Sequence, residues 1–130
     1  MRVICISVND DSYVGIHSDQ ATATPRLPRS REHLATRGVH ADFFHGIHGP
    51  KLGVETTVLY DLDTPGKGFN IGAKPTGCWL SHRALWAACL LLPEDLFLIV
   101  EDDAKFPEDW RDRIDRAIVD AGDFDVLYIG

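Results

Sequence analysis

The stretch that most constrains the fold is residues 96–104, where five consecutive apolar residues are followed at once by three carboxylates. A run of this length, with two β-branched residues, suits a strand buried on both faces and is too short to form a helix alone. Glu101, Asp102 and Asp103 then crowd the end of that strand, where like charges repel unless a cation or several donors compensate. The sequence predicts a binding site there, or else an uncompensated electrostatic cost.

Charge and cysteine content narrow the class of protein. The chain has 130 residues, 45% of them hydrophobic, which fits one domain spanning residues 1–130 with its own core. Thirteen basic against 20 acidic residues give a net charge of −7, so a nucleic-acid backbone is a poor partner. Cys5, Cys78 and Cys89 are odd in number and lack a Cys-x-x-Cys spacing, so we expect reduced, buried thiols in a cytoplasmic protein.

No segment of the sequence predicts a membrane anchor or a leader. We expect no signal peptide, because Met1 and Arg2 lead into a short strand-like run rather than a long apolar segment. The longest apolar run, residues 84–92, is too short to span a bilayer, and we therefore expect no transmembrane segment.

Hydrophobic periodicity and turn residues predict alternating strands and helices. Strands are expected at residues 2–8, 39–44, 96–100 and 124–130, with 56–60 as a further short candidate. Helices are expected at 29–37, at 78–92 and at 107–121, the last with Pro107 in its first turn. Polar, glycine-containing loops are expected at 10–28 and 61–77. This order predicts an α/β domain with a mostly parallel sheet flanked by helices. An unpaired final strand would make self-association plausible, because an open sheet edge invites pairing.

The predicted helix 78–92 is apolar nearly all round and is therefore expected to be central in the fold. Trp79, Trp86 and Trp110 are interpreted as core residues rather than stacking platforms. His82 is a polar residue in apolar surroundings, a setting in which a hydrogen-bonded core histidine is commoner than a metal ligand.

The acidic triplet could offer two or three oxygens to a hard divalent cation. Successive strand residues point to opposite sides, so Glu101 and Asp103 would act together while Asp102 turns away if the strand geometry continues. Arg29 and Arg31 could reach an anionic ligand near the first strand, although an arginine on an amphipathic helix more often covers a solvated face.

Two segments taken together resemble glycosyltransferase family 25, which includes bacterial lipooligosaccharide galactosyltransferases and collagen galactosyltransferases. Residues 77–86 carry the Gly-Cys-x-x-Ser-His stretch of that family, and residues 98–104 carry its apolar strand ending in Glu-Asp-Asp. Residues 31–49 are similar to the early segment of the family, in which an arginine-bearing helix ends at glycine and a strand follows. The resemblance covers roughly residues 29–103.

The resemblance implies a GT-A-like, Rossmann-like domain that transfers a hexose, often galactose, from a UDP-sugar to a hydroxyl of a glycan or other acceptor. It further implies that the acidic triplet holds Mn²⁺ or Mg²⁺ against the diphosphate, with Asp103 the direct ligand, Glu101 at the ribose or a metal-bound water, and Asp102 beside them. Ser81 and His82 are expected near the donor pocket. Asn9, after the first strand, and Arg31 are the other expected contacts of the nucleotide sugar.

Members of the family extend well beyond this length, so we expect the acceptor-binding half and the catalytic base to be missing here. Lipopolysaccharide biosynthesis is the expected process.

Two alternative functions stay open at this point. One is a nucleotide-sugar-binding module without turnover, or a truncated remnant of the enzyme. The other is a receiver-type signalling domain, because acidic residues follow both the first strand and residues 96–100.

Overall fold

A computed structural model describes residues 1–8, 26–52, 58–60, 68–70 and 72–129 of the chain. Within these ranges the chain forms, in order, β1 (Arg2–Ser7), α1 (Arg26–Thr36), β2 (Ala41–His45), a short 3-10 helix (Gly49–Leu52), β3 (Val58–Tyr60), β4 (Gly68–Asn70), α2 (Ala73–Cys89), β5 (Phe97–Glu101) and α3 (Trp110–Ala121).

The central sheet has three parallel strands in the order β2-β1-β5. The first strand is central because its run of apolar residues can be buried on both faces, whereas β3 and β4 form a separate antiparallel pair. The predicted α/β, Rossmann-like architecture with a mostly parallel sheet is confirmed. After β1 the chain forms β2 on one side of that strand and later forms β5 on the other side. The strand order therefore reverses between β1 and β5. Open α/β sheets bind ligands at the carboxyl ends of the strands at such a point.

Alternate residues of β1 face two different helical layers. Val3 and Cys5 pack towards α1 and α3, and Ile4 and Ile6 pack towards α2, where they contact Leu85. The larger cluster contains Val3, Cys5, Leu34, Val39, Leu98, Phe106, Trp110 and Ile114. The sheet therefore has a thick apolar layer on one side and a thinner one on the other.

The helix α3 forms along the predicted apolar stripe, from Trp110 to Ala121, but it begins three residues after Pro107, which the sequence predicts in its first turn. It ends at Gly122, whose φ of 67° is a backbone conformation that glycine adopts without steric penalty. Its first residue is buried against Phe106, and the indole Nε1 of Trp110 donates to the carbonyl of Arg37 over 3.0 Å. Burying a side chain of this size stabilises the fold by about 1.5–3 kcal/mol.

The helix α2 begins five residues before the predicted start at Cys78. Gly72, with φ of 70°, turns the chain into the helix, and Pro75 lies in the first turn, where a missing N–H is tolerated. The hydroxyl of Thr76 donates to the Gly72 carbonyl over 2.7 Å. The prediction of a loop over residues 61–77 is therefore wrong at its end, and β4 also lies within it.

The prediction that α2 is central and carries tryptophans into the core is wrong in part. Trp79 and Trp86 are 47% and 43% exposed, because only one side of this helix faces the sheet, through Leu85. The prediction holds for Trp110, which is buried on the opposite layer. None of the three cysteines is in a disulfide, but the prediction that all three are buried is wrong in part. Cys5 is buried, Cys89 is half-buried and Cys78 is exposed.

The expected strand at residues 124–130 is not formed over its described part, 124–129. Val126 and Tyr128 are exposed, and a strand does not form without a neighbour to pair with. The short candidate at 56–60 is confirmed over Val58–Tyr60, and residues 56 and 57 lie outside the described ranges. In the described helices, no segment is both long and apolar enough to cross a membrane.

Candidate functional site

The carboxyl ends of β1 and β5 are joined by polar contacts to the start of α1. The Ser7 hydroxyl donates to Asp102 Oδ2 over 2.8 Å. Arg26 Nη2 lies 2.6 Å from Asp102 Oδ1 and 2.9 Å from Asp103 Oδ2. One guanidinium therefore reduces the repulsion within the acidic triplet that the sequence predicts.

Asp102 and Asp103 differ in role because their side chains differ in burial. The Asp102 side chain is only 6% exposed, and burial raises the pKa of its carboxyl, an effect that the Ser7 hydrogen bond and Arg26 oppose. Asp102 anchors the turn after β5, and its oxygens already have protein partners. The side chain of Asp103 is 71% exposed, so a ligand can reach it.

Strand alternation does not continue through the triplet. The strand β5 ends at Glu101, and the Ala104 N–H donates to the Glu101 carbonyl over 3.0 Å, which closes a turn. Glu101 and Asp103 therefore have different protein partners, since Asp103 shares Arg26 with Asp102 and Glu101 contacts α2.

The side chain of Glu101 is held between two residues of α2. Its Oε1 accepts from the Cys78 thiol over 3.3 Å and lies 3.2 Å from His82 Nε2. Although Cys78 is exposed as a residue, partial burial of the thiol, followed by the hydrogen bond to Glu101, raises the pKa of Cys78 to about 11. The group is therefore a protonated hydrogen-bond donor at neutral pH.

The other two defining residues of the Gly-Cys-x-x-Ser-His motif face a loop rather than Glu101. Ser81 is 1% exposed; its Oγ accepts from the Ile47 N–H over 2.7 Å and donates to the Gly77 carbonyl over 2.7 Å. A Cβ on Gly77 would collide with the backbone of Gly49. Ser81 and Gly77 therefore hold the loop after β2 against α2, and Ser81 is a positioning residue.

A hard cation such as Mn²⁺ or Mg²⁺ fits this crevice only in part. Glu101 and Asp103 present exposed oxygens, the donor type that such ions prefer, whereas Asp102 is committed to Ser7 and Arg26. Over the described ranges, the three carboxylates of the triplet do not converge as one ligand group.

Arg31, another predicted contact of the nucleotide sugar, lies away from the acidic turn. The Arg31 guanidinium stacks over the Phe43 ring at 4.9 Å, beside a cavity of about 250 Å³ between α1 and β2. Asn9 lies outside the described residues. At the acidic turn, a cleft of about 70 Å³ is lined by residues that include Lys74, Glu101 and Arg26.

The sequence-based prediction misses Arg26, because it starts the helix at Arg29 and places Pro28 in a loop. In the structure Pro28 lies in the first turn of α1, a position that tolerates proline. The preference of proline for the first turn of a helix is the signal that could have started the helix before Pro28. Arg26 would then lie on the helix, beside the acidic strand end.

Comparison with known proteins identifies the family. Residues 21–129 match the family described as "Glycosyltransferase family 25 (LPS biosynthesis protein)". The chain belongs to glycosyltransferase family 25. The resemblance carried by the Gly-Cys-x-x-Ser-His and Glu-Asp-Asp segments is thereby confirmed, and the match does not support a receiver-type domain.

Curated relatives share low identity with this family 25 chain. A "Glycosyltransferase 25 family member" of Anopheles gambiae is 27% identical over 118 residues, covering 82% of this chain and 20% of the relative. One of the same name from Aedes aegypti is 27% identical over 104 residues, 72% of this chain and 17% of the relative. The human "Inactive glycosyltransferase 25 family member 3" is 29% identical over 83 residues, 61% of this chain and 14% of the relative.

The chain thus spans about a fifth of the length of the curated relatives it matches, or less. No solved structure gives a significant match.

Proposed function

We propose that this chain forms the donor-binding part of a glycosyltransferase that moves a hexose, with galactose the first candidate, from a UDP-sugar to a hydroxyl acceptor. The observation that carries the proposal is the position of the acidic turn. It lies at the carboxyl ends of β1 and β5, where the strand order reverses and where α/β sheets bind nucleotides. Membership of family 25 supports the reaction class.

The residues of the turn would have different roles in binding a diphosphate. Asp102 holds the turn in place through Ser7 and Arg26. Asp103 and Glu101 would hold Mn²⁺ or Mg²⁺, since they expose oxygen donors, and the cation would supply positive charge beside the phosphates. The chain has a net charge of −7, so an anionic donor needs such local compensation.

The acceptor that we propose first is a lipopolysaccharide-type glycan, because the description of the matched family names LPS biosynthesis. We name no catalytic base among the residues of this chain. The groups nearest the turn are already engaged with one another, and Ser81 is enclosed by backbone.

A second candidate function is nucleotide-sugar binding without turnover. The observation that favours it is the human relative named as inactive. Incubation of the chain with UDP-galactose or UDP-glucose, with and without a hydroxyl acceptor, separates the two candidates. Release of UDP above the rate of a protein-free control supports an enzyme, and donor binding without release supports the module.

Calorimetric titration of the chain with UDP tests donor binding itself. We expect binding that requires Mn²⁺ and that weakens at least about tenfold in Asp103→Asn, the loss of about 1.4 kcal/mol. Asp112→Asn, which removes an acidic residue of α3, is the matched control and should bind like the wild type. Equal UDP binding with and without Mn²⁺, in both wild type and Asp103→Asn, would overturn the metal-dependent proposal.

A further inference from the structure

One thiol, one imidazole and one carboxylate converge where α2 meets the end of β5. Cys78 Sγ and His82 Nε2 lie 3.3 Å and 3.2 Å from Glu101 Oε1. The three ligand atoms all lie within 4.8 Å of one another. This cluster differs from the acidic turn both in its donor atoms and in the elements that supply them.

The secondary structure accounts for the convergence. Residues four apart on a helix lie on the same face, which puts Cys78 and His82 side by side on α2. Glu101 pairs in register with Ile6, and Ile6 belongs to the β1 residues that face α2. The side chain of Glu101 therefore points to the α2 side of the sheet, as the packing of Ile99 on the same side also shows.

The distances suit a tetrahedral metal centre. Zinc bonds of about 2.0–2.3 Å at tetrahedral angles place neighbouring N, O and S ligands about 3.3–3.6 Å apart. Two of the three separations in this cluster are already 3.2 Å and 3.3 Å. The third pair, Cys78 with His82, is on one helix face, where side-chain rotation alone can bring the atoms closer.

The donor set selects the class of cation. An incoming metal ion displaces the thiol proton of Cys78 to solvent, and the resulting thiolate and an imidazole are ligands of zinc and its neighbours in the transition series. Mn²⁺ and Mg²⁺ prefer oxygen. Three protein ligands leave a fourth position for water or a ligand, as in zinc sites that act on substrates. We propose that Cys78, His82 and Glu101 bind a zinc-class divalent cation.

The surroundings favour entry and retention of such an ion. The side chains of Glu101 and His82 are 49% and 25% exposed, so the cluster is open to solvent. The neighbouring edge of α2 is held against the loop by Gly77 and Ser81, which limits movement of the helix that supplies two of the ligands. The site shares only Glu101 with the proposed hard-cation site, and it does not depend on the proposed transferase function.

Titration of the whole chain with Co²⁺, after treatment with a chelator, tests the proposal by absorption spectroscopy. We expect one equivalent of Co²⁺ to produce a thiolate charge-transfer band together with intense tetrahedral ligand-field bands, and Zn²⁺ to displace it. Loss of a residue that only hydrogen-bonds to a metal ligand weakens metal affinity about 10–100-fold. Loss of a ligand itself, in Cys78→Ser, should therefore weaken Co²⁺ binding by more than about 100-fold. His82→Gln and Glu101→Gln should also weaken Co²⁺ binding.

Two controls make the result specific. Cys89→Ser removes a thiol of α2 that lies outside the cluster, and Asp103→Asn removes a ligand of the proposed hard-cation site alone; both should keep the cobalt spectrum. Circular dichroism and thermal unfolding of each variant exclude loss of fold as the cause. The proposal is overturned if no thiolate band forms, if the band survives in Cys78→Ser, or if it disappears in Asp103→Asn. None of these outcomes bears on UDP binding.

Discussion

The helix α2 presents two neighbouring edges that differ in what they contact, although one six-residue motif supplies both. At one edge, Gly77 and Ser81 are buried against the loop after β2. At the other, Cys78 and His82 face Glu101 and are open to solvent. A motif shared with a family can therefore combine residues that fix the backbone with residues that are available for chemistry.

The largest difference between the edges is expected for Gly77→Ala. In a helix interior alanine is intrinsically better than glycine by up to about 1 kcal/mol, so a gain in stability is expected unless space is lacking. Here the new Cβ would collide with the backbone of Gly49, which cannot rotate away as a side chain could. We expect a net loss of about 3 kcal/mol in the free energy of unfolding, measured by urea denaturation.

Cys78→Ala is the matched control for that substitution, since it changes the adjacent, exposed residue of the same helix. Its free energy of unfolding should stay within about 0.5 kcal/mol of the wild type. If Gly77→Ala were instead more stable than the wild type, the close approach of the loop to α2 would be wrong.

A smaller effect is expected for Ser81→Ala, which removes the acceptor of the Ile47 N–H without adding volume. A buried donor left without a partner destabilises a fold by about 1–3 kcal/mol, so we expect a loss of about 2 kcal/mol in the same assay. His82→Gln, on the open edge, should change stability by less than about 0.5 kcal/mol. Equal losses in the two variants would remove the distinction between the edges.

The smallest expected effect concerns the reactivity of the Cys78 thiol. Burial and the Glu101 hydrogen bond raise its pKa to about 11, and the thiolate is the form that reacts. In the presence of a chelator, the alkylation rate of Cys78 should therefore keep increasing as the pH passes the usual value of 9.0. Mass spectrometry of the modified peptide follows the rate at each pH.

Glu101→Gln sharpens this test, because it removes the negative charge that disfavours the thiolate. The pKa of Cys78 should fall while burial still keeps it raised, so alkylation at pH 8 should become faster than in the wild type. The matched control, Glu108→Gln, changes an exposed acid near α3 and should leave the rate unchanged. An unchanged rate in Glu101→Gln would show that the carboxylate does not contact the thiol in solution.

Elements with a clear one-sided or all-apolar pattern were predictable from the sequence. The helix α3 has apolar residues on one stripe and a glycine after it, and β1 and β5 are short apolar runs. These signals are local, so the apolar stripe of α3, its end at Gly122 and the acidic strand end could be placed without a structure. Helix starts were predicted less well, because Pro28 and Pro75 were interpreted as loop residues although each lies in a first turn.

By itself, the sequence determined the α/β class, the family and the presence of three carboxylates at the end of an apolar strand. Only the tertiary structure decided which partner each carboxylate has: Arg26 and Ser7 for Asp102, Arg26 for Asp103, and the α2 pair for Glu101. The physical reason is that side-chain alternation is a local property, whereas the residue that faces a strand end comes from a distant part of the chain. Strand register and helix packing place that residue, and both depend on contacts between segments that are far apart in the sequence.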